Sequence, residues 1–331
     1  MYPLKRLWLD KDAAMRAKWS ELLQQGGLSA NETVDYTVGI FHEDTLIATG
    51  SLLGNIIKCV IVCQKYQQEN LLTQVMTALQ ERLREENQLH SFVYTKPKNE
   101  IFFQSLGFKK IVATQNVLFM EQGSPDFKSY LEKLQALRQS GANAAIVMNA
   151  NPFTKGHRYL VETAAAENNH VYVFVLSEDR SLFSTEDRVA MVKAGVADLA
   201  NVTVLETADY LVSSSTFPDY FLKEHADLAK AKEQATLDAT LFKEKIVPVL
   251  NITRRYVGSE PLSPVTEVYN QAMAAVFQGS PVLKILPRKE INGGVISATK
   301  VRQAMKEENL ELLQSLLPPT TFDYMKNQNK I

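Results

Sequence analysis

Two short segments of this chain carry the side-chain types that phosphate chemistry uses. The first is Asn149-Ala150-Asn151-Pro152-Phe153-Thr154-Lys155-Gly156-His157, where Thr154 and His157 supply donors three residues apart. Gly156 removes the side chain that would hold a phosphate off the backbone. The second is Ile296-Ser297-Ala298-Thr299-Lys300-Val301-Arg302, which offers two hydroxyls and a permanent guanidinium fork. Neither segment is a Gly-x-x-x-x-Gly-Lys-Ser/Thr loop, and Gly-x-Gly-x-x-Gly follows none of the predicted strands.

To bind an anion, each segment has to open a helix, because the first N–H groups of a helix are unpaired and its dipole is positive there. The apolar run 144–148 before the first segment predicts a buried strand, and residues 159–166 after it predict a helix. From residue 143 onward strands (144–149, 170–176, 201–205, 254–257, 282–286) alternate with helices. That order predicts a doubly wound parallel sheet with helices on both faces and a ligand crevice at the carboxyl ends of its strands. Both segments fall at such ends, so together they are expected to hold a triphosphate.

Ser184-Thr185-Glu186-Asp187 has capping-box spacing and starts the helix that carries Arg188. Arg188 either contacts the nucleotide from that helix or forms a surface salt bridge. Lys155 either neutralises phosphate or points to solvent. Gly258 and Glu260, just past the strand at 254–257, are nucleotide or substrate contacts, or else a turn glycine and a capping carboxylate. Residues 217–246 are too long for a simple crossover and are expected to form a helical insertion covering one edge of the site.

Residues 1–123 form a smaller α/β pattern. A hairpin (36–41, 45–53), a strand (56–62), a helix (67–86, with Leu71, Leu72, Val75, Leu79 and Leu83 on one stripe), a strand (91–95), a helix (99–106) and a closing strand (111–120) follow in order. Residues 124–141 are a connector helix and hinge, and 142–331 the second domain. A formal charge of -1 gives no electrostatic case for nucleic acid or an anionic membrane surface, and no apolar run reaches the roughly 20 residues a bilayer needs. Cys59 and Cys63, the two cysteines, are about 13 Å apart if they share one strand face, too far for a disulfide. The histidines show no metal-ligand spacing, so no protein metal site is expected. A cytoplasmic address is expected by default.

Thr154-x-Gly156-His157, followed about 140 residues later by Ile296-Ser297-x-Thr299-x-x-Arg302, resembles the T/H-x-G-H nucleotidyltransferase superfamily in its threonine variant. The resemblance implies that Thr154 and His157 contact an α-phosphate, and that Ser297, Thr299 and Arg302 hold the β- and γ-phosphates. Asn149, Asn151, Pro152, Phe153, Lys155 and Gly156 then line the nucleotide site. It implies in-line attack on the α-phosphorus with pyrophosphate leaving, His157 acting as a donor rather than a nucleophile.

A narrower resemblance covers the whole length. Asn-x-Asn-Pro-Phe-Thr-x-Gly-His-Arg-Tyr-Leu-Val-Glu from Asn149, Ser213 to Phe221, and Arg255-Tyr256-Val257-Gly258-Ser259-Glu260-Pro261 are similar to the citrate lyase ligase family. Phe102-Phe103-Gln104-Ser105-Leu106-Gly107-Phe108 matches the acetyltransferase (GNAT)-like N-terminal domain of that family. The family implies activation of acetate by ATP, with magnesium, and acetylation of the prosthetic-group thiol (phosphoribosyl-dephospho-CoA) of the citrate lyase acyl-carrier subunit. Gln67-Gln68-Glu69-Asn70-Leu71-Leu72 lacks both glycines of the acetyl-CoA pyrophosphate loop, so this domain is not read as an acetyltransferase. The alternatives are an adenylyl- or cytidylyltransferase that makes a nucleotide cofactor, and a non-catalytic nucleotide-binding regulator.

Overall fold

The computed structural model describes residues 2–177, 181–211, 227–259, 264–291 and 294–331. They divide into two compact units, one of residues 2–130 with 227–237, the other of residues 131–211 with 238–331.

The first unit holds strands β1 (Leu4–Leu7), β2 (Tyr36–His42), β3 (Thr45–Leu53), β4 (Ile56–Val62), β5 (His90–Thr95), β6 (Lys109–Ala113) and β7 (Leu118–Gly123). Its helices are α1 (Ala13–Gln25), α2 (Leu71–Glu85) and α3 (Glu100–Ser105). The seven strands form one sheet in the order β1-β2-β3-β4-β5-β7-β6. Neighbours are antiparallel except β4 and β5, which run parallel and pair at Ile56↔Phe92 and Ile57↔Val93. The sheet is therefore mixed, and the α/β pattern expected of these residues is present. The apolar stripe of α2 (Leu71, Val75, Met76, Leu79, Leu83) is buried and shares a core with Val38, Ile40, Ile47 and Ile57. Gly50 permits that contact, since a Cβ there would stand 2.6 Å from the Val75 side chain.

The single closing strand expected over 111–120 is two strands, β6 and β7, paired antiparallel. The polar run Thr114-Gln115-Asn116 turns the chain between them, with the Thr114 N–H donating to the Val117 carbonyl at 2.8 Å. Cys59 is buried, which pushes its thiol pKa up, and both cysteines are free thiols.

After α4 (Phe127–Ala136), the second unit contains β8 (Asn143–Met148), α5 (Lys155–Glu167), β9 (His170–Val175), α6 (Thr185–Gly195) and β10 (Val202–Glu206). Helix α7 (Asp227–Leu241) follows and falls across the division between the units. A π-helical turn (Phe242–Ile246), α8 (Val247–Leu250), β11 (Ile252–Gly258), α9 (Pro264–Phe277) and β12 (Val282–Leu286) come next. The short hairpin β13 (Glu290–Ile291) and β14 (Gly294–Val295) leads to α10 (Ala298–Lys306), α11 (Leu310–Leu316) and α12 (Pro319–Asn327). The expected insertion is helical over 227–246; its earlier part, with Ser213 to Phe221, lies outside the described residues.

All five strands of this sheet are parallel, in the order β10-β9-β8-β11-β12. Strand order reverses between β8 and β11, and such a switch point opens a crevice at the carboxyl ends of the two strands. One face of the sheet packs Ile146, Met148, Val171, Val173 and Tyr256 with residues of α5, α6, α10, α11 and α12. The other carries Phe174 against Phe242, which also meets Phe277 of α9. Helices on both faces are thus as expected. No helix among the described residues is long and apolar enough to cross a membrane.

Candidate functional site

At the carboxyl end of β8 the chain turns through Ala150, a buried residue with φ of 51°, and enters α5 at Thr154. The Thr154 hydroxyl accepts the His157 backbone N–H at 3.3 Å, and the Thr154 backbone N–H donates to His157 Nδ1 at 3.0 Å. A backbone N–H can only donate, so Nδ1 must present its lone pair. The neutral ring then carries its proton on Nε2. Phe153, fully buried, stacks on the imidazole with ring centroids 5.8 Å apart. Burial, and then the nearby positive charge of Arg288, push the His157 pKa down to about 4. His157 is therefore a neutral, oriented Nε2–H donor.

Thr154 is 2% exposed and its hydroxyl lies 3.0 Å from His157 Nδ1, so it orients the imidazole. The threonine-and-histidine pair is a reciprocal helix cap first.

The second segment docks on the first. Ser297 caps α10 by accepting the Lys300 N–H at 3.2 Å. Arg302, one turn on, donates through Nη1 to the Asn151 carbonyl at 2.7 Å and through Nη2 to the Thr299 hydroxyl at 3.0 Å. Gly156 faces the same seam: a Cβ there would lie 3.5 Å from Thr154 Oγ1 and 3.6 Å from Ile296 Cβ and O. Two helix N-termini, those of α5 and α10, thus converge beside the end of β8.

The remaining expected contacts separate into braces and open positions. Asn151 Oδ1 accepts the Phe183 N–H at 3.2 Å, and Asn149 Oδ1 accepts from Arg188 Nη1 at 2.8 Å. Arg188 is fully buried, and its guanidinium also holds the carbonyls of Phe183, Asn149 and Leu176 and the Thr185 hydroxyl. At full burial it does not stand at the surface, and these donors brace the loop. Pro152 is buried under the same turn. Lys155 Nζ donates to the carbonyls of Gln314 and Ser315 at 2.9 and 2.8 Å, neutralising the carboxyl end of α11. Gly258 ends β11 with open space where a Cβ would be. Glu260 lies outside the described residues.

Arg288 was not singled out in the sequence. It donates through Nε to the Ser259 carbonyl at 2.9 Å and lies near enough to depress the His157 pKa. The available signal was Pro287-Arg288-Lys289, a basic run just past a strand's carboxyl end. Arg158, beside His157, is a second omission; it ties α5 to Asp198 at 2.7 Å and to the Gly195 carbonyl.

The citrate lyase ligase C-terminal domain matches residues 143–325. Over 329 residues the chain is 36% identical to the citrate (pro-3S)-lyase ligase of Klebsiella pneumoniae, covering 97% of this chain and 96% of that protein. The Escherichia coli K12 protein of the same name is 34% identical over 319 residues, 94% of this chain and 90% of its own. A phosphopantetheine adenylyltransferase of Staphylococcus carnosus is 33% identical over 73 residues, 22% of this chain and 45% of that protein.

Proposed function

The chain belongs to the citrate lyase ligase family, and from that premise we propose that its crevice binds ATP and transfers the adenylyl group to acetate. The observation that carries the reading is the contact of Arg302 with the Asn151 carbonyl, which unites two anion-binding helix starts at one strand end. Gly156 supports it. Glycine in a helix costs about 0.5–1 kcal/mol relative to alanine, and outside its chain neighbours and its own helix backbone no atom lies closer than 3.5 Å to where its Cβ would be. Approach of a ligand to the backbone accounts for the glycine.

In this reading His157 donates Nε2–H to the α-phosphate, and Ser297, Thr299 and Arg302 hold the β- and γ-phosphates. An acetate oxygen attacks the α-phosphorus, the bond to the bridging oxygen breaks, and pyrophosphate leaves with the electron pair. The residues contribute positioning and preorganised donors, each worth about 3–4 kcal/mol when aimed at developing charge. Because Nδ1 is committed to the Thr154 N–H, His157 acts without taking a proton. Attack of the carrier thiol on the acetyl carbonyl then releases AMP.

Among the described residues no cluster of three His, Cys, Asp or Glu side chains is placed to cage a cation. The magnesium that accompanies ATP would therefore be held by phosphate oxygens and water. The full chain is tested by pyrophosphate release from ATP with a panel of carboxylates, with and without the acyl-carrier thiol. Acetate-dependent release, with AMP formed when the carrier is present, is expected. A dinucleotide product from a phosphorylated acceptor would favour a cofactor-building adenylyltransferase instead.

A further inference from the structure

Gly195, the last residue of α6, packs against the ring on which the imidazole is stacked. A Cβ at Gly195 would stand 2.4 Å from Phe153 Cε1 and 2.7 Å from Cδ1, so only glycine fits beside this ring as it lies. Phe153 is fully buried, and its plane is 15° from that of His157, with centroids 5.8 Å apart. That is offset stacking. Phe153 thus meets the end of α6 and the imidazole at once. Arg158, the residue after His157, ties α6 to this place. It donates to the Gly195 carbonyl, and its Nη1 and Nη2 pair with the two oxygens of Asp198 at 3.0 and 2.7 Å.

The Thr154 N–H fixes where His157 Nδ1 points. One hydrogen bond leaves the imidazole free to tilt, because the outer torsion of a histidine side chain is broad. A flat ring against its face removes that freedom. The aim of Nε2–H is what the reaction depends on, and a misplacement of about 1 Å can cost about 10²-fold in rate.

We infer that Gly195 is a positioning residue of the adenylation step: it leaves room for the Phe153 ring, and that ring sets the plane of His157. This rests on the reading that His157 donates to the α-phosphate of ATP.

The test uses the full chain with Gly195→Ala, Phe153→Leu and the double substitution. Acetate-dependent pyrophosphate release and the titration of nitrogen-15-labelled His157 are measured on each. Gly195→Ala should lower kcat by about 10–10²-fold and leave KM for ATP within about twofold, since Ser297, Thr299 and Arg302 are untouched. Its His157 midpoint should rise from about 4, because a displaced ring uncovers the imidazole; a loss of stability alone would move neither readout. Phe153→Leu should shift both in the same directions. The double variant should match Phe153→Leu within about twofold, because the added methyl then meets no ring. Losses that multiply would show Gly195 acting by another route and overturn the inference. If Gly195→Ala does not fold, Phe153→Leu decides: a kcat equal to wild type overturns the inference. A wild-type chain that releases no pyrophosphate overturns the ATP reading and this role together. Normal wild-type turnover with unchanged kcat in Gly195→Ala overturns this role alone.

Discussion

Replacing Gly156 by alanine separates what the fold needs from what the ligand needs. The added methyl would contact Thr154 Oγ1 at 3.5 Å and Ile296 at 3.6 Å, ordinary van der Waals distances. Nothing has to move. The residue lies in the first turn of α5, where alanine is favoured over glycine by about 0.5–1 kcal/mol. The ligand-free protein should therefore unfold about 1–4 °C higher than wild type. The methyl projects into the seam between the two phosphate segments, so ATP should bind at least about tenfold more weakly, about 1.4 kcal/mol. Thermal unfolding of the ligand-free chain and calorimetric titration with ATP measure the two effects. A variant destabilised by more than about 1 kcal/mol, or one with undiminished ATP affinity, would refute the reasoning.

Further outcomes follow from the same contacts. His157 should titrate near 4 and carry its proton on Nε2; nitrogen-15 spectra showing a midpoint at 6.5 or an Nδ1–H tautomer would contradict the site. Because the unfolded chain protonates this histidine near 6.5 and the folded one near 4, its contribution is present above 6.5. It falls by on the order of 3 kcal/mol as pH drops to 4, visible in denaturant midpoints against pH. Arg188→Met leaves the carbonyls of Phe183, Asn149 and Leu176 without this donor and should cost about 3–5 kcal/mol in urea unfolding. Gly195→Ala puts a methyl 2.4 Å from Phe153 Cε1 and should cost about 1–3 kcal/mol, with kcat lowered as the His157 stack shifts. Lys155→Met should cost about 1 kcal/mol and leave KM for ATP within about twofold, since its ammonium serves the end of α11; a tenfold rise would place it on phosphate instead.

The parallel sheet was legible because most of its strands are short, largely apolar runs bounded by turns, and alternation with helices leaves few topologies. The two helix starts at Thr154 and Ser297 were legible because both residues are N-caps, and caps have a local signature. What the sequence hid is long-range. Arg188 has the composition of a surface helix residue, and its burial depends on carbonyls at Asn149 and Leu176 that only the folded loop brings near. Lys155 finds its partners 159 and 160 residues away. Arg288 meets the carbonyls of Ser259 and Ile296, from two other segments, which no spacing rule connects. The hairpin of β6 and β7 was missed for a different reason: Ile111-Val112-Ala113 and Val117-Leu118-Phe119 merge into one apolar stretch unless the polar residues between them are taken as a turn.

In the proposed reaction acetate attacks the α-phosphorus of ATP in this crevice. Turnover with acetate carrying oxygen-18 in its carboxylate, followed by mass analysis of the phosphate products, tests it most directly. One labelled oxygen should appear in AMP and none in pyrophosphate. Label in inorganic phosphate or pyrophosphate, or unlabelled AMP, would contradict it.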